Sequence, residues 1–179
     1  TSCEGKVMKV NVYSRSPKVK LYLNDKLIGE KETGKENYTA TFDVPYEPGT
    51  LKAVNSKGKE EFVLKTAGEP AAIRLIADRS KIKACKNDLS YVKIELVDKN
   101  GNVVPETSLP VKIECTGKGT VIAGGNAAYA DMESFRSLTP NTFRGKAIAI
   151  VQPDGEKGDI QVKVSAKGLE DASIVITAY

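Results

Sequence analysis

The chain contains no histidine and no tryptophan, and only 6% of its 179 residues are aromatic. Without histidine, neither a Ser-His-Asp nor a Cys-His catalytic arrangement can form, and a zinc site with histidine ligands is excluded. Sugar-binding modules usually rely on exposed aromatic platforms, which this composition supplies poorly. The composition therefore argues against histidine-dependent catalysis and against an autonomous carbohydrate-binding module.

Long apolar runs and blocks of like charge are also missing. No run approaches the ~18 apolar residues that a membrane-spanning helix needs. The net charge is +4, and both signs are interspersed along the chain. A nucleic-acid surface needs a basic stripe and usually exposed aromatic residues. The sequence therefore predicts no membrane span and no nucleic-acid partner.

Cysteine is scarce, and no two cysteines have the C-x-x-C spacing of a metal or redox motif. The three are Cys3, Cys85 and Cys115. Cys115 shares the apolar phase of Val111 and Ile113, which predicts a buried, inert thiol. A Cys85–Cys115 disulfide in an oxidising compartment is the open alternative. No metal site and no cofactor are predicted.

Apolar and polar residues alternate along most of the chain, with the period of two that is typical of β-strands. The first ~66 residues hold about six short runs of this kind, each closed by turn residues. The rest of the chain holds seven or eight, and the apolar run 147–151 predicts a central strand. No helix of normal length is predicted, although 127–138 has room for one or two turns. The fold class is therefore all-β.

Turn signals divide the chain further. Asn24-Asp25 predicts a tight hairpin, because asparagine and aspartate tolerate positive φ, and Asp98-Lys99-Asn100-Gly101 predicts another turn. A short linker at 67–70 separates two groups of strands, with spacing typical of sandwiches. We therefore predict two tandem immunoglobulin-like β-sandwich domains, residues 1–66 and 67–179.

The segment 124–140 is too long for a simple connection, and loops of this length are often functional. Gly124-Gly125 lowers the barrier to positive-φ conformations at its start. Asp131 and Glu133 do not form a convincing glycosidase pair, because nothing nearby supplies a shielded pocket that would raise one pKa. No catalytic residue is predicted. The candidates for contact with a ligand or a neighbouring domain are Asn126, Tyr129, Asp131 and Phe135.

Three segments of the first half read M-K-V-N-V-Y-S, V-K-L-Y-L-N-D-K-L-I-G-E and F-D-V-P-Y-E-P-G-T-L-K-A-V. They resemble the immunoglobulin-like domain that follows the catalytic barrel in many gut-bacterial family-two β-galactosidases. The final sandwich domain of the same enzymes resembles A-G-E-P-A-A-I-R-L-I-A-D-R-S, D-L-S-Y-V-K-I-E-L-V-D-K-N-G-N-V-V-P and F-R-G-K-A-I-A-I-V. Gly125-Asn126-Ala127-Ala128 departs from the G-N-G-D common in the family. The resemblance covers nearly the whole chain.

The resemblance implies a non-catalytic C-terminal accessory region of a family-two β-galactosidase. The retaining hydrolysis of that family uses two glutamates in a (β/α)₈ barrel, and no position here matches either glutamate motif. The implied partners are the catalytic barrel and N-terminal domains of the same parent chain, with carbohydrate or a homo-oligomer as further contacts. A periplasmic or exported location is implied. The alternative is a tandem immunoglobulin-like surface or adhesion module without an attached enzyme.

Overall fold

The computed structural model describes residues 5–179, and every regular element among them is a β-strand. No helix within that range is long and apolar enough to cross a membrane. The chain divides into two compact units, of which the first ends at Thr66 and the second is Ala67–Tyr179. The all-β prediction is confirmed.

Each unit is a pair of stacked sheets. The strands of the first unit are β1 (Val7–Tyr13), β2 (Lys18–Leu23), β3 (Lys26–Glu32), β4 (Thr39–Pro45), β5 (Thr50–Asn55) and β6 (Glu61–Lys65). Those of the second are β7 (Ala72–Ala77), β8 (Lys81–Ile82), β9 (Ser90–Val97), β10 (Val111–Gly117), β11 (Gly119–Gly125), β12 (Lys146–Pro153), β13 (Gly158–Ala166) and β14 (Ala172–Ala178).

The first unit stacks a four-stranded sheet, in the order β3-β2-β5-β6, on the antiparallel pair β1-β4. Asn24 and Asp25 form the β2–β3 hairpin with φ values of 48° and 61°, so the predicted turn is confirmed. Side chains on alternate positions of β2 and β4 point between the sheets, as the alternation predicts. The buried core consists of Val19, Leu21, Leu23, Ala40, Phe42 and Val44.

The second unit stacks the sheet β11-β12-β9-β7 on the sheet β10-β13-β14-β8. Strand β12 contains the apolar run 147–151 and lies inside its sheet, as predicted. Strand β8 was not predicted, because two residues are too few to display alternation. Sixteen buried apolar side chains fill the space between the sheets, among them Val92, Ile94, Ile113 and Ile160.

The two cysteines in the described range are free thiols. Cys85 is exposed, whereas Cys115 is half-buried and its Sγ lies 3.6 Å from the carbonyl oxygen of Gly119. Partial burial raises the pKa of the Cys115 thiol. Cys115 lies on the apolar phase of β10 as predicted and packs against the core of the second unit, but its burial is partial.

Asp98 organises the turn that follows β9. Its Oδ1 accepts hydrogen bonds from the backbone N–H groups of Asn100 and Asn102 at 2.9 and 2.8 Å. Its Oδ2 accepts a bond from the N–H of Gly68 at 2.9 Å and one from the side-chain amide of Asn102 at 3.1 Å. These donors, the Gly68 N–H first, lower the pKa of Asp98 to about 2.

We expect Asp98→Asn to melt at a lower temperature than the unchanged chain at pH 7, because an amide offers one acceptor oxygen where the carboxylate offers two. An unfolded aspartate has a pKa near 3.9. Since the folded pKa is lower, the stabilisation is complete above about pH 4 and is lost as the pH falls towards 2. Melting followed by circular dichroism from pH 7 to pH 2 checks this, and parallel curves for the two proteins would contradict it.

Candidate functional site

The long connection between β11 and β12, residues 126–145, is called the β11–β12 loop below. Its second half runs beside the free edge of β10. There the N–H of Ile113 donates to the carbonyl oxygen of Leu138 at 2.7 Å, and the N–H of Val111 donates to that of Pro140 at 3.0 Å. These backbone bonds tie the loop to the sheet, although no part of the loop forms a regular strand.

Two buried glycines at the end of β11 let the first half of the loop fold back closely. The N–H of Gly124 donates to the carbonyl oxygen of Phe135 at 2.7 Å. A Cβ atom on Gly124 would lie 2.9 Å from the carbonyl oxygen of Ser137, and one on Gly125 would lie 2.8 Å from the Phe135 ring. Neither glycine has a positive φ. Glycine is therefore needed here because the loop approaches the strand closely, and the positive-φ conformations that glycine makes accessible are not used.

Asn126 is the centre of a polar network within the loop. Its Nδ2 donates to the carbonyl oxygen of Asn141 at 2.9 Å and to Asp131, while its Oδ1 accepts from the N–H of Ala128 at 2.7 Å. Asn141 in turn donates to Glu133 at 2.7 Å, and Asp131 accepts from the N–H of Glu133 at 2.9 Å. Both carboxylates of the loop are thus used in holding its shape.

Three large apolar side chains project from this frame into solvent. Tyr129 is fully exposed, Met132 is 94% exposed and Phe135 is 71% exposed. Of the predicted contact residues, Asn126 and Asp131 therefore belong to the frame, while Tyr129 and Phe135 form the surface. Asn141 was missed, since it lies 15 positions from Asn126 and no local pattern joins them.

The shape of the site bears on what chemistry it can perform. The depression bordered by Asn126, Asp131, Glu133 and Phe135 has a volume of about 30 Å³, which is room for about two water molecules. A sugar ring cannot be enclosed there. Within residues 5–179, no group of three or more acidic or cysteine side chains could hold a metal ion. The loop is thus suited to surface contact.

Both halves of the chain match known families. Residues 73–175 match the family described as glycoside hydrolase family 2 C-terminal domain 5. Residues 5–62 match a domain of unknown function (DUF4982).

Several characterised proteins contain a region similar to the chain. It is 32% identical over 169 residues to the β-galactosidase BoGH2A of Bacteroides ovatus, covering 93% of the chain and 20% of that protein. It is 28% identical to a β-glucuronidase of Formosa agariphila, covering 92% of the chain and 17% of that protein. A crystal structure of a glycosyl hydrolase family 2 member from Bacteroides cellulosilyticus superposes with a TM-score of 0.94 at 38% identity. That superposition covers 99% of the chain and 24% of the solved chain.

Proposed function

Since the chain belongs to the glycoside hydrolase family 2 C-terminal domain 5 family, we propose that it supports, without catalysing, the hydrolysis of terminal β-galactosides or related glycosides by a larger enzyme. It spans about a fifth of the length of the curated relatives that it matches. Those relatives are a β-galactosidase and a β-glucuronidase, which is why the proposed substrates extend beyond galactosides. The catalytic barrel with its two glutamates would lie in another part of the polypeptide.

The observation that carries this role is the surface formed by Tyr129, Met132 and Phe135. Exposed apolar area costs about 25 cal/mol per Å² relative to burial, and aromatic residues and methionine are enriched where protein surfaces meet. The network around Asn126 holds the backbone beneath them, so little ordering of the chain is needed on contact. We infer that the β11–β12 loop packs against the catalytic barrel near the rim of its active site.

Two other contacts would use the same side chains. Tyr129 and Phe135 could stack on a sugar bound at the rim, or they could meet a second copy in a homo-oligomer. The barrel is the favoured partner, because a segment of the same polypeptide has a high effective concentration. A periplasmic or exported location is proposed from the family resemblance, and fractionation of cells that express the full-length enzyme tests it.

In the full-length enzyme, we expect the double replacement Tyr129→Ala and Phe135→Ala to lower kcat/KM by roughly tenfold, which corresponds to about 1.4 kcal/mol. The loop would lose its buried anchors and would no longer hold the rim in position. Steady-state kinetics on nitrophenyl glycosides measures the effect. Hydrogen exchange of the loop should also accelerate, because its packing partner is lost.

Tyr91→Ala serves as the matched control, because Tyr91 is an aromatic residue of the same unit that is 42% exposed and lies outside the loop. This variant should keep the kinetics of the unmodified enzyme. Unchanged kcat/KM, oligomeric mass and loop exchange in the double variant would show that the loop is only structural. A change in oligomeric mass alone would assign the surface to a second copy instead of the barrel.

A further inference from the structure

The sandwich of the first unit is closed on one side and open on the other. On the closed side, Nζ of Lys31 in β3 donates to the carbonyl oxygen of Thr41 in β4 at 2.6 Å. On the opposite side, β1 and β6 are the outermost strands of the two sheets. Among residues 5–66, no strand pairs with the outer edge of either one. The two sheets therefore end there without a bridging element.

An apolar groove of about 240 Å³ lies along this open side. No charged side chain lines it, and the two lining side chains with polar atoms are those of Asn11 and Tyr13. Phe62 and Leu64 on β6 are 68% and 54% exposed. The remaining lining residues are Val10, Val12, Leu21, Leu51 and Ala53. The groove is thus part of the space between the sheets, and it reaches the surface.

The backbone of β1 offers hydrogen-bonding groups beside this groove. The N–H of Tyr46 donates to the carbonyl oxygen of Lys6, and the N–H of Ser14 donates to that of Tyr38. In an antiparallel pair the residues bonded to one neighbour alternate along the strand. The backbone groups of the even-numbered residues of β1 therefore form hydrogen bonds with β4. The N–H groups of Lys9 and Asn11 point away from β4, towards the open edge. An unpaired edge next to exposed apolar residues is a surface that proteins normally cover.

We propose that an extended apolar segment from the rest of the same polypeptide adds as a strand beside β1 and fills the groove with its inward side chains. The presence of that remainder rests on the proposed function. Addition of a strand takes its affinity from main-chain hydrogen bonds and its specificity from pockets for alternate side chains. Here the outward N–H groups of β1 supply the main-chain hydrogen bonds, and the uncharged groove supplies the pockets for side chains.

The size of the surface favours the same polypeptide over a second copy. Stable complexes of separate chains use about 20–30 residues on each side. Strands β1 and β6 contain 7 and 5 residues, about half of what such a complex needs. A covalently connected segment avoids most of the entropy cost of association and can bind stably with a smaller surface.

Hydrogen exchange of the full-length enzyme, read by mass spectrometry at single-amide resolution, tests this proposal. We expect the Lys9 and Asn11 amides to exchange at least about a hundredfold more slowly than exposed amides, because a paired edge must open before exchange. Phe62→Glu places a charge in the groove and should remove this protection. Val63→Glu is the matched control, since Val63 is the neighbour on the other face of β6 and does not line the groove; it should leave the protection intact.

Three results would overturn the proposal. They are fast exchange at Lys9 and Asn11 in the unmodified enzyme, equal effects of the two glutamate variants, and protection that depends on protein concentration. The last would identify a second copy as the occupant. Measuring glycoside hydrolysis by the same preparation separates failure of the strand addition from failure of the proposed function. Activity with an unprotected β1 contradicts the strand addition alone, whereas a protected β1 without hydrolysis contradicts the proposed function alone.

Discussion

Replacement of Ile94 by alanine is expected to lower the free energy of unfolding of the second unit by roughly 2–5 kcal/mol, and replacement of Ile113 should act similarly. Ile94 is completely buried and Ile113 is 2% exposed. Both lie in the core between the two sheets. Truncation removes the transfer free energy of the lost methyl and methylene groups and leaves a cavity that a close-packed sandwich cannot fully refill. Urea melts of the variants measure the loss.

Lys93→Ala is the control for these truncations. Lys93 precedes Ile94 on β9, so its side chain points to the opposite face of the sheet, where it is about half exposed. Among the described residues its ionic contact is with Glu95, at 4.0 Å, and Glu95 keeps its much closer contact with Arg74, at 2.6 Å, when the Lys93 side chain is removed. We expect a change of about 0.5 kcal/mol. Similar losses at Lys93 and Ile94 would mean that the strand does not divide into a buried and a solvated face.

A second large effect is expected at the end of β10, where Gly117→Ala should cost about 2–5 kcal/mol. Gly117 has a φ of +96° and is paired with Ile160. A Cβ atom there would lie 2.1 Å from the carbonyl oxygen of Asp159. The left-handed backbone contributes about 1–2 kcal/mol of this cost, and the displacement of a backbone carbonyl contributes about 1–3 kcal/mol more. Thermal or urea unfolding gives the value.

Gly168→Ala separates the two contributions. Gly168 belongs to the same unit, has a φ of +82°, and has no atom within 4 Å of an added Cβ. Its replacement should therefore carry the conformational cost alone, about 1–2 kcal/mol. If the two alanine variants unfold at the same denaturant concentration, the chain around Asp159 adjusts freely, and close approach is not the reason for glycine at position 117.

Strands were predictable wherever burial on one face produced alternation. The runs around Val92 and Ile113 became β9 and β10, with these side chains in the core. The Asn24-Asp25 hairpin was predictable for a local reason, because few other residues accept positive φ. Strand β8 was not, because its pairing partner is a distant part of the chain and its two residues show no period.

The internal contacts of the β11–β12 loop could not be predicted from the sequence. Its length and its aromatic residues marked it as a candidate site, and Tyr129 and Phe135 are indeed at the surface. Its internal order depends on the bond from Asn141 to Glu133 and on contact between Phe135 and Gly125. These contacts form between positions that no helix or strand period relates. The sequence therefore identifies the loop as a candidate site, but it does not show which residues stabilise the backbone of the loop and which are exposed to solvent.

The position of β14 has a consequence for the order in which the second unit can be made. Strand β14 lies between β13 and β8, and it pairs in parallel with β8 near the beginning of the unit. During synthesis the sheet must wait for β14 to leave the ribosome before it can close. Until then the position of β14 between β8 and β13 is unoccupied. Pairing between strands that are distant in the sequence, such as β8 and β14, slows folding. A nascent chain from which β13 has emerged but β14 has not would thus present two unsatisfied strand edges to chaperones.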